Sequence, residues 1–285
     1  MKVRLEENYK ISIGLKIFYV AIILICIISV GVGIYLHIKG KGELTEEEKG
    51  KLPQISEEQL NSYKTEFNNI FDNKVNYLSN NSYRITKLER SKEIIYTGYQ
   101  IEENKTNNHN IDVSIPYINI DNEEIDNYNE QIKNIFEEKA KNILNSQNSN
   151  TIYTVDYSAY ISNNILSLIV RSTLKEGSNA QRDIIQTYNY NLSSHQKCDI
   201  QEILELRGIT KKEATNKIRE EIKGVQKKVE ELGKLGYTIY NRDYESDIYN
   251  INNATEFFMG ENNTLYIIYA YGNENFTSEI DIVTM

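Results

Sequence analysis

Residues 17–36 form an apolar run, IFYVAIILICIISVGVGIYL, of 20 consecutive residues without a charge. As a helix rising about 1.5 Å per residue, this run matches a hydrocarbon core roughly 30 Å thick. A cleaved signal peptide is the alternative, but its apolar region is usually only about 7–15 residues long. Cys26 does not complete a lipoprotein signal, because Ile25 stands where a small residue is needed. The run therefore predicts one uncleaved transmembrane helix.

The span also predicts how the rest of the chain is distributed. Long domains cross the membrane largely regardless of flanking charge, so we expect residues 1–16 to be a short cytoplasmic tail and the bulk of the chain to be extracellular. Residues 37–55 are polar and charged and are interpreted as a linker. Two extracytoplasmic subdomains are predicted beyond it, over 56–148 and 149–285, separated by the polar run NSQNSN.

Composition excludes several classes of function. The formal net charge is −9 and no basic face offsets it, so phosphate repulsion argues against nucleic-acid binding. The sequence has no HExxH or CxxC motif, no EF-hand loop and no glycine-rich phosphate loop, so it predicts no metal and no cofactor. The 22 tyrosines without a tryptophan are typical of an AT-rich bacterial genome.

Apolar periodicity in the first subdomain predicts alternating helices and strands. Ser56 and Gln59 form a capping pattern for a helix whose apolar spacing continues to Leu78. Pro116 predicts an edge position or a bulge, because proline cannot donate to a strand ladder. Asp121 is expected to open a second helix, whose apolar stripe runs on to Leu144 and includes Ile135. Strand-like runs lie between the helices, over 82–89, 93–103 and 110–120.

The second subdomain repeats this pattern. A strand over 151–161 and a hairpin over 163–194 are followed by a short helix and then by the strongest helix, which Thr210 and Glu213 cap. Three further strands close the chain over 254–260, 264–272 and 276–285. The fold class is therefore α+β, with antiparallel sheets, helices packed on one face, and one transmembrane helix before them.

Candidate catalytic residues are scarce. His195 and Cys198 are close in the sequence, but nothing beside them resembles an oxyanion site, and we expect Cys198 to be buried and inert. The tyrosines of DIIQTYNYNL and TLYIIYAYG alternate along strands, so they are expected mainly as sheet core and secondarily as a recognition surface. No catalytic residue is predicted, and the chain is not expected to be an enzyme.

The order of motifs resembles a known extracytoplasmic module. DVSIPYINIDNEEIDNYNEQIKNIFEE, residues 112–138, resembles the deacetylase-associated extracellular domain of bacterial cell-wall proteins. The hairpin region and the final TEFFMGENNTLYIIYAYGNENFTSEIDIV resemble the domain of unknown function that usually follows it. The resemblance covers roughly residues 82–285. It implies kinship with membrane-anchored anti-sigma factors that sense lysozyme, and with proteins that carry peptidoglycan deacetylase domains.

Two departures from that module shape the functional hypothesis. Related hairpin turns often carry Gly-Gly-Ala-His, whereas this chain has EGSNAQRD over 176–183. Direct binding of a sigma factor is disfavoured, because the cytoplasmic tail is too short to wrap one. The ligand-binding residues predicted at and after the turn are Gly177, Ser178, Asn179, Gln181, Arg182, Tyr188 and Tyr190.

The sequence thus predicts a membrane-anchored, non-catalytic binding or sensing protein of the bacterial cell envelope. Its expected partners are the membrane, through residues 17–36, and either peptidoglycan or a secreted muramidase such as lysozyme. Two alternatives stay open. One is an envelope enzyme acting on peptidoglycan, and the other is a signalling or structural subunit that works through the transmembrane helix.

Overall fold

The computed structural model describes residues 56–78, 93–106, 108–146, 150–275 and 277–285. All of them belong to one compact unit. The predicted span, the predicted linker and the predicted strand over 82–89 lie outside the described residues. Within the described part of the chain, no helix is both long enough and apolar enough to cross a membrane.

The larger sheet has seven strands in the order β2-β3-β4-β5-β6-β7, with β1 beside β4. They are β1 (Val75–Tyr77), β2 (Ile95–Lys105), β3 (His109–Ile118), β4 (Thr151–Ser162), β5 (Ile165–Glu176), β6 (Arg182–Asn191) and β7 (Gln196–Lys197). Strands from both predicted subdomains thus pair in one sheet. The pairs β1·β4 and β3·β4 are parallel, where only antiparallel pairs were expected.

A smaller antiparallel sheet and a set of helices complete the described fold. The sheet has the order β10-β9-β8, and its strands are β8 (Glu256–Met259), β9 (Leu265–Ala270) and β10 (Ile280–Thr284). The principal helices are α1 (Glu57–Glu66), α2 (Glu123–Ile132), α3 (Glu138–Asn145), α4 (Ile200–Arg207) and α5 (Lys211–Lys234), and a short α6 is Gly272–Asn275. A π-turn, Lys133–Glu137, joins α2 to α3. The mixed α+β class is confirmed.

Side-chain caps fix where the helices begin. Ser56 with Gln59 and Thr210 with Glu213 form the capping boxes that the sequence predicted, so the amino ends of α1 and α5 are correct. The expected cap of α2 is wrong by one residue. Its N-cap is Asn122, whose side chain accepts a hydrogen bond from the backbone of Glu124.

Of three further local predictions, two are wrong and one is confirmed. The helix predicted up to Leu78 is wrong beyond residue 69, because the chain turns and forms β1 against β4. Ile135 is 42% exposed, because the π-turn rotates it away from the stripe that buries Ile132 and Phe136. The predicted irregularity at Pro116 is confirmed as a bulge in β2, where the register shifts between Thr97 and Tyr99.

The layers stack in the order helices, large sheet, small sheet, helices. One face of the large sheet and the apolar side of α2 and α3 share a core that includes Ile132, Tyr157 and Leu168. Its opposite face packs on the small sheet through a second cluster that includes Ile169 and Phe258. The outer face of the small sheet is covered by α4 and α5. Helices therefore cover one face of each sheet, as expected.

Polar side chains of the large sheet hold the free edge of β8. The backbone N–H of Phe257 donates to Thr187 Oγ1 at 3.0 Å, and its carbonyl accepts from Asn189 Nδ2 at 2.7 Å. The N–H of Met259 donates to Ser167 Oγ at 3.1 Å, and that hydroxyl donates to Asn189 Oδ1 at 2.6 Å. These groups need partners because a buried, unpaired backbone group costs free energy comparable to a lost hydrogen bond.

Removing Asn189 should loosen this junction. Asn189→Ala leaves the Phe257 carbonyl without its donor, and we expect the free energy of unfolding to fall by about 1–3 kcal/mol. The control is Gln186→Ala. Gln186 lies on the same strand, is half-exposed and makes no side-chain hydrogen bond among those described, so this variant should change the free energy of unfolding by at most about 0.5 kcal/mol. Urea denaturation measures both. Equal effects of the two variants would contradict the role of Asn189.

Glu256 adds a pH-sensitive group at the same junction. Its carboxylate accepts hydrogen bonds from the N–H and hydroxyl of Thr187, at 2.6 and 3.0 Å. Burial nevertheless outweighs these bonds and raises the pKa of Glu256 to about 7. The folded state therefore retains a proton that the unfolded chain releases near pH 4.5.

We expect the Glu256 contribution to stability to be greatest below about pH 4.5 and to be lost as the pH rises to about 7. Glu256→Gln imitates the protonated acid, so the variant should lack this loss and be at least as stable as the parent above pH 7. Thermal unfolding at pH 5 and pH 8 measures the effect. Glu220→Gln, an exposed control, should keep the parental pH dependence; identical profiles for parent and Glu256→Gln would refute the assignment.

Candidate functional site

The candidate site is the turn that joins β5 to β6, residues 177–181. Gly177 has a φ of +55°, a left-handed conformation that costs glycine little, and its N–H donates to the carbonyl of Asn150 at 3.1 Å. Asn179 N–H donates to the Glu176 carbonyl at 3.0 Å, which closes the turn. The Lys175 ammonium also donates to the Asn179 carbonyl. The turn is thus a defined structure, held by a backbone bond to Glu176 and by bonds to Asn150 and Lys175.

A concavity of about 350 Å³ lies against this turn, lined by Leu174, Glu176, Asn179, Ala180 and Arg182. Its wall combines apolar side chains with an amide and groups of both charges. Glu176 forms an ion pair with Lys139 of α3 at 3.0 Å. This volume is at the lower end of the range for small-molecule sites. The arrangement offers hydrogen-bond donors, acceptors and one cationic side chain, which suits a polar ligand or a protein loop.

The structure separates the predicted site residues into two groups. Gly177, Ser178, Asn179 and Gln181 are exposed at the turn, and Arg182 is half-buried beside them; Asn179 and Arg182 line the concavity. Tyr188 and Tyr190 lie further along β6 and are only 4% and 0% exposed. Both belong to the core beneath α2 and α3, and the Tyr188 ring stacks on Tyr128 with centroids 4.1 Å apart. The tyrosines are therefore not at the surface of the turn.

Four residues line the concavity or pair with its wall although no site residue was predicted at their positions. They are Leu174, Glu176, Ala180 and Lys139. The first three flank or lie within the predicted turn, so hairpin spacing alone could have included them. Lys139 could not have been found in this way, because it reaches Glu176 from α3, 37 residues earlier in the chain.

Cys198 is buried, as expected, at 1% exposure. Burial is the main cause that raises the pKa of its thiol, so the thiol stays protonated near neutral pH. His195 lies on an exposed turn with a φ of +58°. Among the described residues, no group of three or more His, Cys, Asp or Glu side chains could hold a metal ion.

None of the known protein families matches the sequence, and none of the curated proteins does. Solved structures that are similar to parts of it include two DUF3298 family proteins. One is a DUF3298 family protein from Pseudomonas aeruginosa PAO1, 13% identical, with a TM-score of 0.26; the similarity covers 33% of this chain and 47% of that one. The other is a member of the DUF3298 family from Bacteroides fragilis, 11% identical, with a TM-score of 0.30, covering 56% and 74%.

Because both TM-scores lie below 0.5, neither neighbour supports an inference about the site. Less than half of the Pseudomonas protein is matched. The relationship to deacetylase-associated domains and to anti-sigma factors stays a prediction.

The turn conformation can be tested by a pair of glycine substitutions. Gly177→Ala places a side chain at a φ of +55°, so we expect the free energy of unfolding to fall by about 1 kcal/mol. Gly224 lies in the middle of α5, with nothing within 4 Å of an added methyl group. Gly224→Ala should therefore raise the free energy of unfolding by about 0.5–1 kcal/mol. Chemical denaturation measures both signs, and stabilisation by Gly177→Ala would contradict the left-handed turn.

Proposed function

We propose that this chain is a membrane-anchored extracytoplasmic binding or sensing protein of the bacterial envelope, and that it has no catalytic activity of its own. Its ligand is a cell-wall component or a secreted protein such as lysozyme. The ligand is bound at the β5–β6 turn. Residues 17–36 serve as the anchor.

The observation that carries the proposal is the way the fold presents this turn. β4 and β5 pair over their whole lengths, and β5 and β6 pair over ten residues, so the turn stands at the end of a rigid three-stranded segment. The turn itself is exposed and has a concavity beside it. Binding residues on loops that a rigid scaffold positions are a recurrent arrangement in recognition proteins.

The chemistry of the turn favours a polar partner. The turn carries two amides and a hydroxyl, and the Arg182 guanidinium follows it at the start of β6. The Lys139–Glu176 ion pair lies at the wall of the concavity. Such groups form hydrogen bonds with the hydroxyl and amide groups of a glycan, or with the backbone of a protein loop, at about one bond per 100–200 Å² of interface. Both expected ligand classes meet this requirement, so the experiment has to include both.

The test is co-sedimentation of the full chain, in detergent micelles, with purified peptidoglycan and separately with immobilised lysozyme. We expect saturable retention by one of them. The double variant Asn179→Ala/Gln181→Ala should weaken that retention about tenfold, as loss of two hydrogen bonds implies.

Gln100→Ala/Asn104→Ala provides the matched control. It removes the same residue types from exposed positions on β2 and should bind as the parent does. Retention by neither ligand would overturn the proposed ligand classes. Equal losses in the two double variants would overturn the assignment of the turn.

A further inference from the structure

A second concavity, of about 310 Å³, opens at the other end of the β4–β5 hairpin, and we call it the α1 crevice. It combines three tyrosines, three carboxylates, two amides and one aliphatic side chain. Its lining residues are Tyr63, Glu66, Asn69, Ile70, Asp72, Asn76, Tyr160, Glu261 and Tyr266. They come from α1 and the segment after it, from β1 and β4, and from the small sheet. The crevice therefore exists only where the two sheets and α1 meet.

Asparagine side chains fix the turn that carries Glu261 to the α1 crevice. In the turn between β8 and β9, Asn262 and Asn263 both have left-handed backbones, with φ of +53° and +60°. Asn262 Nδ2 donates to the Tyr63 hydroxyl at 2.6 Å, and Asn163 Nδ2 donates to Asn263 Oδ1 at 2.9 Å. These bonds tie the turn to α1 and to the β4–β5 connection, so Glu261 is held at the rim.

The floor is a rigid aromatic stack. Tyr266 is 3% exposed, and its ring stacks on Phe258 with centroids 4.5 Å apart, while Phe258 stacks on Tyr160 at 5.9 Å. Gly260 leaves room for the Tyr266 ring, because a Cβ there would lie 2.6 Å from Tyr266 Cε2. The ring position is therefore determined by packing on both sides.

The Tyr266 side chain lines the crevice, and its hydroxyl makes no hydrogen bond with the described residues. Burial raises its pKa, with further contributions from Tyr160, Tyr63, Glu261 and Glu66, so it stays neutral. A ligand group that bonds to this hydroxyl would replace a hydrogen bond to water. The buried side chain thus points to a ligand independently of the acidic rim.

The rim is negative, and Lys64 and Arg171, two described cations, bond elsewhere. Among the described residues, Glu66, Asp72 and Glu261 make no ion pair with Lys or Arg within 4.0 Å. Lys64 pairs with Glu221, and Arg171 lies over the Phe71 ring at 4.1 Å. A positive group entering the crevice would meet carboxylates that no cation of the described residues neutralises.

We propose that the α1 crevice binds a lysine or arginine side chain presented by a basic protein. The ammonium or guanidinium group donates hydrogen bonds to Glu66 and Glu261 at the rim and to the Tyr266 hydroxyl below them. The methylene groups of the side chain lie between the rings of Tyr63 and Tyr160. Tyrosine faces attract cations, which adds to the carboxylate attraction.

This site is separate from the β5–β6 turn. Tyr160 is opposite Ser167 in the β4–β5 register, whereas Leu174, which lines the first concavity, is seven residues further along β5. At about 3.3 Å per residue, the two sites are roughly 23 Å apart along the strand. Loss of binding at one site can therefore be measured while binding at the other site is retained.

The test is titration of the full chain, labelled with ¹³C-tyrosine, by N-acetyl-lysine N-methylamide and N-acetyl-arginine N-methylamide. The Tyr266 ring signal is assigned by its disappearance in Tyr266→Phe. We expect both cationic probes to shift it saturably, and the neutral isostere N-acetyl-norleucine N-methylamide to leave it in place. Raising the salt from 20 mM to 500 mM should weaken binding about threefold or more.

Variants distinguish the specific site from general acidity. Glu66→Gln/Glu261→Gln keeps the shape and removes two charges, so the dissociation constant should rise about tenfold. Glu102→Gln/Glu123→Gln removes the same charge from exposed positions elsewhere and should leave it within about twofold. Binding to Tyr266→Phe is measured by calorimetry. This variant should bind the cationic probes about threefold more weakly and leave binding at the β5–β6 turn unchanged.

Three outcomes would overturn the proposal. The first is an equal response of Tyr266 to the norleucine and lysine probes. The second is an equal loss in the two charge-neutralising variants. The third is binding of 1,5-diaminopentane at least about tenfold tighter than the lysine probe, which would assign the crevice to a free polyamine rather than a protein side chain.

Discussion

The fold depends on how the large sheet satisfies the backbone edge of β8. β8 is an outer strand of the small sheet, and its outward N–H and C=O groups are buried against the large sheet, away from water. Thr187, Asn189 and Ser167 supply the missing donors and acceptors. Without them, apolar packing of the two sheets would bury several unpaired backbone groups and lose much of its benefit. These three polar residues make sheet-on-sheet packing possible.

Packing of the small sheet on the large sheet also determines which concavities form at the surface. It brings the turn after β8 against α1, where Asn262 donates to Tyr63, and the α1 crevice is formed. The β5–β6 turn, at the far end of the hairpin, is held by bonds to Asn150, Glu176 and Lys175 and does not depend on that contact. Two concavities of different chemistry therefore lie at the two ends of one hairpin. One is partly apolar and of mixed charge, and the other is acidic and aromatic.

Local signals in the sequence predicted the elements well where the cause is local. Capping boxes placed the starts of α1 and α5, and the hairpin turn was found from its glycine and polar run. The end of α1 was missed, because residues 75–77 become a strand only through pairing with β4, about 80 positions later. The α1 crevice was missed for the same reason: its lining residues come from distant segments, and no spacing in the sequence connects Glu66 with Glu261.

Tyrosine shows most clearly why strand alternation could not identify the recognition surface. Tyr190 and Tyr266 both occur in alternating, β-branched strands, and they are 0% and 3% exposed. Yet the Tyr190 hydroxyl is fully enclosed and unpaired among the described residues, whereas Tyr266 lines a concavity with carboxylates at its rim. Burial of either ring stabilises the fold, so the apolar pattern of the sequence does not distinguish the two tyrosines. What differs is the environment of one oxygen atom, and the packing of α1 and the turn after β8 determines it.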